Sequence, residues 1–170
     1  MGPPKPRRLF ALDQNFPEPI VDCLSSYIVQ SELVPIRRVR DDLPRLDDWR
    51  LFIELHRHER PWDGLVTNDD KLLALPKEMT VLSQTNLTLV VVKSQGHNPI
   101  RATGILLSHI DHICHHTNSS DAQIWVLGVA QKQHESPADH LERIARNEKR
   151  TVEQVFAAHR VPAADLVRNR

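Results

Sequence analysis

Cysteine is scarce: Cys23 and Cys114 are the only two in 170 residues, too few for a disulfide framework and not spaced as Cys-x-x-Cys. Gly-x-Ser-x-Gly and phosphate-loop strings are missing as well, so neither motif offers a nucleophile elbow or a nucleotide cradle. No apolar run approaches the roughly 20 residues of a membrane span, and no charged lead precedes an apolar stretch of signal-peptide length. A cytoplasmic, reduced protein is therefore expected. An excess of either charge is also lacking. Lys plus Arg and Asp plus Glu number 22 each, which removes any overall electrostatic signature of nucleic-acid binding and leaves a basic surface to local clustering. Internal repeats and low-complexity tracts are absent. The length fits one domain able to bury a core without staples.

What is present alternates between strand-like and helix-like stretches. Short apolar runs at Leu9–Leu12, Leu33–Val39, Gly64–Thr67, Leu87–Val92 and Ile124–Ala130 read as buried strands. Between them, Pro19–Val29, Asp48–His58, Lys77–Ser83 and Ile100–His116 read as helices, two of them beginning near prolines, where proline is tolerated. The order implies an α/β fold on a parallel sheet. The ends differ from the middle. Pro3, Pro4, Lys5, Pro6, Arg7 and Arg8 form a basic, proline-rich lead expected to be mobile. Past Ser136-Pro137 a charged helical region begins, and Thr151 with Gln154 makes a capping-box pattern. Its apolar seam, Leu141, Ile144, Val152, Val155 and Phe156, requires a cover, either the rest of the chain or a second copy in a homodimer.

Two carboxylates recur in matching places. Asp13 ends the run Leu9-Phe10-Ala11-Leu12, and Asp69 follows Leu65-Val66-Thr67-Asn68. Open α/β sheets place their chemistry just beyond the carboxyl ends of such strands, and acids there suit a divalent metal. Either residue can equally well end a strand and cap the next turn. A third acid is needed, and helical phase chooses it from Leu46-Asp47-Asp48-Trp49. At about 100° per residue Asp48 projects between Phe52 and Leu55, toward the sheet, whereas Asp47 falls on the polar side and reads as an N-cap.

These strings resemble the PIN domain, in particular its compact PIN-like branch related to the VapC toxin ribonucleases of bacterial toxin-antitoxin pairs. Leu12-Asp13-Gln14-Asn15-Phe16-Pro17 is similar to that branch's opening Leu-Asp-Glu-Asn-Leu-Pro. Asp48-Trp49 is similar to its aspartate before a helix, and Thr67-Asn68-Asp69 to its Thr-x-Asp strand end. Pro76-Lys77-Glu78, followed by a strand, also resembles what comes next in the family. The likeness runs over roughly residues 8 to 115, and each motif alone is weak.

The resemblance implies a three-layer sandwich with a central, mainly parallel sheet, assigned to residues 8–131, and the charge pattern of residues 132–170 reads as a helical extension for packing or oligomerisation. It also implies a metal-dependent endoribonuclease in which Asp13, Asp48 and Asp69 hold Mg²⁺ or Mn²⁺. Asn15 and Thr67 would orient the carboxylates, while Asp47, Asp70 and Glu78 are possible further ligands. Lys71 and Arg101 would touch the RNA backbone, and an antitoxin protein would occlude the site. Two departures bear on activity: Gln14 replaces the family's glutamate, and Lys71 stands where a second aspartate often follows. A catalytically degenerate binding module is the contrasting expectation, and a metal-dependent phosphatase a third. His109, His112 and His116 share one helix face at zinc-ligand spacing, beside the core stripe Ile105, Leu106, Ile110 and Ile113. Helix-dipole stabilisation of histidines near a C-terminus accounts for them without a metal.

Overall fold

Alternate residues of the central strands point to opposite faces, and both faces are buried, which is why these strands read as continuous apolar runs. In this computed structural model, which describes residues 7–95 and 97–167, six strands form one sheet in the order β2-β1-β3-β4-β5-β6. They are β1 (Arg8–Leu12), β2 (Ser31–Pro35), β3 (Gly64–Thr67), β4 (Thr88–Val92), β5 (Gln123–Leu127) and β6 (Lys132–Glu135). The first five are parallel and β6 joins antiparallel. The helices are α1 (Glu18–Leu24), α2 (Ile36–Val39), α3 (Asp48–Arg57), α4 (Pro76–Ser83), α5 (Pro99–His116), α6 (Pro137–Glu148) and α7 (Val152–His159).

Two cores divide the layers. On one face Leu9, Ala11, Leu65, Leu89, Val91 and Ile124 pack with apolar residues of α3, α4, α6 and α7. On the other Phe10, Leu12, Val66, Val90, Val92 and Leu127 pack with α5 and with Val21 of α1. The result is a helix–sheet–helix sandwich around a mostly parallel sheet. In α4 four consecutive residues, Met79, Thr80, Val81 and Leu82, are buried. A helix lying on a sheet with its back to water cannot bury four in a row. Here α6 and α7 cover the outer side.

The tail is two helices, each opened by a complete capping box. Ser136 and Asp139 cap α6, and Thr151 and Gln154 cap α7. The Gln154 amide donates to Thr151 Oγ1 at 3.2 Å, and the Thr151 amide donates to Gln154 Oε1 at 3.0 Å. Thr151→Ala is expected to cost about 1 kcal/mol and to lower Tm by about 2–4 °C in a thermal melt. The seam is covered by this same chain: Leu141, Ile144 and Val155 are buried in the core they share with α3 and α4. It therefore supplies no argument for a homodimer.

Several boundaries depart from the sequence reading. The expected strand Leu33–Val39 is shorter and displaced, because Pro35 ends β2 and the chain turns at once into α2. Proline lacks the N–H a ladder needs. The expected helix Pro19–Val29 stops at Leu24 and tightens into a 3-10 turn, Ser25–Tyr27, where Ser25 Oγ donates to the Asp22 carbonyl at 2.8 Å. β5 ends at Leu127, before Gly128, rather than at Ala130. β6 was not expected, since Lys-Gln-His-Glu carries no apolar residue, and it places the boundary drawn at residue 131 between two paired strands. The start of the basic lead, residues 3–6, lies outside the described residues. Arg7 donates to the carbonyls of Ile28 and Ser31, both at 2.7 Å, and Arg8 pairs with Asp63 at 2.7 Å.

Candidate functional site

The order of the strands singles out one place on the sheet. From β1 the chain passes outward to β2 on one side, while from β3 it passes outward to β4 and β5 on the other. Between β1 and β3 the connections diverge, which leaves a crevice at the carboxyl ends of the strands. Asp13 directly follows β1, and its amide donates to the Val66 carbonyl at 2.9 Å, continuing the ladder with β3 by one residue. Thr67 ends β3 and Asp69 lies two residues on. The sheet itself thus brings the two acidic strand ends side by side.

Thr67 ties them. Its Oγ1 donates to Asp13 Oδ2 at 3.0 Å and accepts from the Asp69 amide at 3.1 Å. Asn15 Nδ2 also donates to Asp13 Oδ2, at 3.2 Å, and the Gln14 amide donates to Oδ1 at 2.6 Å. The Gln14 backbone thereby serves Asp13 whatever its side chain carries. Each carboxylate oxygen has two lone pairs, so these contacts orient Asp13 without exhausting it. Asp69 Oδ1 accepts from the Lys71 amide at 3.0 Å and starts the 3-10 turn Asp70–Ala74. The turn-capping role of Asp69 and a second role for its other oxygen are compatible.

Asp48 arrives from the other direction, at the first position of α3. Phe52 and Leu55 on the same stripe are fully buried, and Asp48 is half-buried beside them. Its carboxyl is pushed up to about 6 by burial and then by the charges of Asp13, Glu78, Asp69 and Asp47. Three acids from three other segments, together with the adjacent Asp47, are thus close enough to disfavour its ionisation. Glu78, in the first turn of α4, is also raised, by burial first and with Asp47 contributing. Asp47 occupies the N-cap position of α3 without a side-chain cap bond, and its carboxylate lies 3.9 Å from Arg50.

A raised carboxyl makes the folded state prefer the protonated form. The associated stability is complete below about pH 4, the ordinary carboxylate value, and is lost as pH rises through about 6. Asp48→Asn removes that penalty. The variant is expected to melt about 2–4 °C above the wild type at pH 8 in chelator, equivalent to about 1 kcal/mol after screening by solvent. At pH 4 the two should melt together. Equal melting temperatures at both values would show that Asp48 is not under strain from its neighbours.

A cavity of about 370 Å³ opens beside Asp69, lined also by Asn15, Asn68, Asp70, Lys71, Ser94 and His97. Asp13, Asp48 and Glu78 are not in its lining, which Asp69 and Asp70 alone supply with carboxylates. Asp70 Oδ2 accepts from the Ser94 amide at 3.2 Å, which fastens the loop after β4 to the loop after β3. Ser94 holds a left-handed backbone, φ 60°. Lys71 is exposed at the rim. Arg101 sits at the start of α5, where its amide is capped by Asn98 Oδ1 at 3.0 Å, and its side chain does not reach the lining. Asn68 and His97 were not singled out by sequence. Asn68 is buried to 3 % exposure and its Nδ2 has no hydrogen-bond partner among the described residues. Its place inside the Thr-Asn-Asp string was the one available signal. His97 offered none.

The donor set is all carboxylate and amide oxygen, the chemistry of a hard divalent cation. A cation would relieve the mutual repulsion that Asp48 registers. The donors are of the kind such an ion takes, but among the described residues no three His, Cys, Asp or Glu side chains are grouped so as to hold one. The histidine face of α5 is organised by ring contacts instead. His112 and His116 stack at 4.0 Å, and His116 Nδ1 donates to the His112 carbonyl at 2.8 Å. No protein-family model, curated protein or solved structure matches the chain.

Proposed function

We propose that the chain is a metal-dependent endoribonuclease of the PIN-like type that hydrolyses RNA phosphodiester bonds, acting as the toxin of a type II toxin-antitoxin pair. The observation that carries this reading is Asp13 and Asp69 tied through Thr67 at the diverging strand ends, facing a half-buried Asp48 whose carboxyl is raised first by burial and then by their charges. Asp13, Asp48 and Asp69 would hold Mg²⁺ or Mn²⁺, with Glu78, Asp47 or Asp70 as further oxygen donors. A bound divalent cation polarises a phosphoryl oxygen and makes water a nucleophile near neutral pH. The chain's own part is orientation and charge. Thr67 and Asn15 fix the Asp13 carboxylate, as outer-shell partners of ligands commonly do. Lys71 offers a positive charge at the rim of the cavity for a neighbouring phosphate. The unpartnered amide of Asn68 supplies a donor that a substrate oxygen can satisfy.

The test is cleavage of a mixed RNA pool by purified protein with Mg²⁺ or Mn²⁺, with chelator, and with Asp69→Asn as the control against contaminating nuclease. Metal-dependent cleavage that vanishes in the variant establishes the acids as catalytic. For the toxin assignment, which rests on the resemblance, the expected result is growth arrest when the wild-type chain is expressed in bacteria and none with Asp69→Asn. A second reading, a noncatalytic module acting through a protein partner, is favoured by Asp69 Oδ1 being used in its own turn. It predicts no cleavage in any condition with the protein folded.

A further inference from the structure

A second cavity, of about 350 Å³, lies against the first and shares Asp70 with it. It is formed between the 3-10 turn Asp70–Ala74, the end of β4 and α6. Leu73, Ala74 and Ile144 make an apolar wall, and Lys93 and Arg143 stand at the same opening. The volume is at the small end of ligand pockets, which run from about 300 to 1,000 Å³. Arg143 is held in place: Nη2 donates to Glu135 Oε2 at 2.8 Å and lies 3.1 Å from the buried His140, and Nε donates to the Asp139 carbonyl at 3.3 Å, leaving Nη1 open. Lys93 is exposed, and no acid among the described residues pairs with it. Glu148, also in the lining, is paired with Arg150 at 3.3 Å. An aliphatic wall with two cations beside it can hold one unit of a single-stranded nucleic acid, the base in van der Waals contact with the wall and the phosphate meeting the charges.

We propose that this cavity is a nucleotide subsite, built partly by α6, that holds one unit of a single-stranded RNA next to the unit placed at the acids. The inference rests on the ribonuclease reading for the identity of the ligand, but binding here needs no cation and no cleavage. Asp70 lines both cavities, so adjacent units of one strand would reach the two by passing over it. The subsite also gives the charged C-terminal extension a role at the site, which its sequence left between packing and oligomerisation.

The experiment measures binding of a short fluorescein-labelled single-stranded RNA to the full chain by anisotropy, in chelator, across a salt series. Lys93→Gln is expected to weaken binding about fivefold and to reduce the slope of log K against log salt by about 0.7, the share of one phosphate on a single strand. Ala74→Trp, which fills the cavity from an exposed position, is expected to weaken binding about tenfold by denying the base its wall. Arg60→Gln, which removes a cation that lines neither cavity, is expected to bind as the wild type does. If Lys93→Gln and Ala74→Trp both stay within about twofold of the wild type at every salt concentration, less than one phosphate contact, the subsite is refuted. Melting curves accompany each variant. Should Ala74→Trp fail to fold, the exposed Lys93→Gln decides alone. Weakened binding by these variants together with cleavage indifferent to Asp69→Asn would sink the catalytic reading and leave the subsite standing. The reverse pattern would do the opposite.

Discussion

Asp69→Asn is expected to lower metal-dependent RNA cleavage at least ~10³-fold, about 4 kcal/mol of transition-state stabilisation, while leaving the melting temperature nearly unchanged. The separation of the two effects follows from what each oxygen does. Oδ1 accepts the Lys71 amide and holds the turn Asp70–Ala74, and an asparagine carbonyl can take over that bond. What asparagine cannot take over is the charge. The same substitution at Asp13 preserves an acceptor for Thr67 or for the Gln14 amide but not for every donor that converges there. Asp13→Asn is therefore expected to lose cleavage to a similar extent and some stability as well. Retention of cleavage within about tenfold in both variants, a loss of no more than about 1.4 kcal/mol, would move the chemistry away from these strand ends.

Gly64→Ala should be the most damaging single methyl in the chain. A Cβ at Gly64 would lie 1.8 Å from the Thr88 carbonyl oxygen and 2.7 Å from its carbon. Thr88 is the residue paired with Gly64 in the β3–β4 register, so the obstacle is backbone in a central ladder, with no flexible side chain to swing aside. Inserted methyl groups in a close-packed interior typically cost about 1–3 kcal/mol, and more where backbone must move. Against a total stability of about 5–15 kcal/mol, a loss of 3 or more should appear as a fall in Tm of roughly 6–12 °C or as failure to accumulate. A denaturant melt with a midpoint within error of the wild type would mean that β3 and β4 approach less closely than this.

The parts of the fold legible in the sequence are those whose burial is two-sided or whose caps are local. Gly64–Thr67 is a strand because all four residues are buried, and Thr151 announces α7 because its capping partner is three residues away. β6 was invisible because it is an exposed polar edge, held by backbone pairing with β5 and by His134, which stacks on Trp125 and bonds Gln123 across the pair. Asp13 and Asp69 were legible because each follows an apolar run, and Asp48 because helical phase sets its direction. The approach of Glu78 to Asp48 was less so, since it depends on how α4 packs beside α3. The lining by His97 and Lys93 comes from loops whose course depends on the turns after β3 and β4, including the left-handed Ser94.

The double cover over α4 also has a consequence in time. Gln84, just past α4, bonds Val161 in both directions, its Nε2 donating to the carbonyl at 3.0 Å and its Oε1 accepting the amide at 2.9 Å. These partners are 77 residues apart. At the ribosome's pace of about 5–20 residues per second, Gln84 is made some 4–15 s before Val161. Through that interval the side of α4 that α7 will cover has no α7 to meet it, so a stalled or truncated nascent chain would present that surface to chaperones and to its neighbours on the polysome.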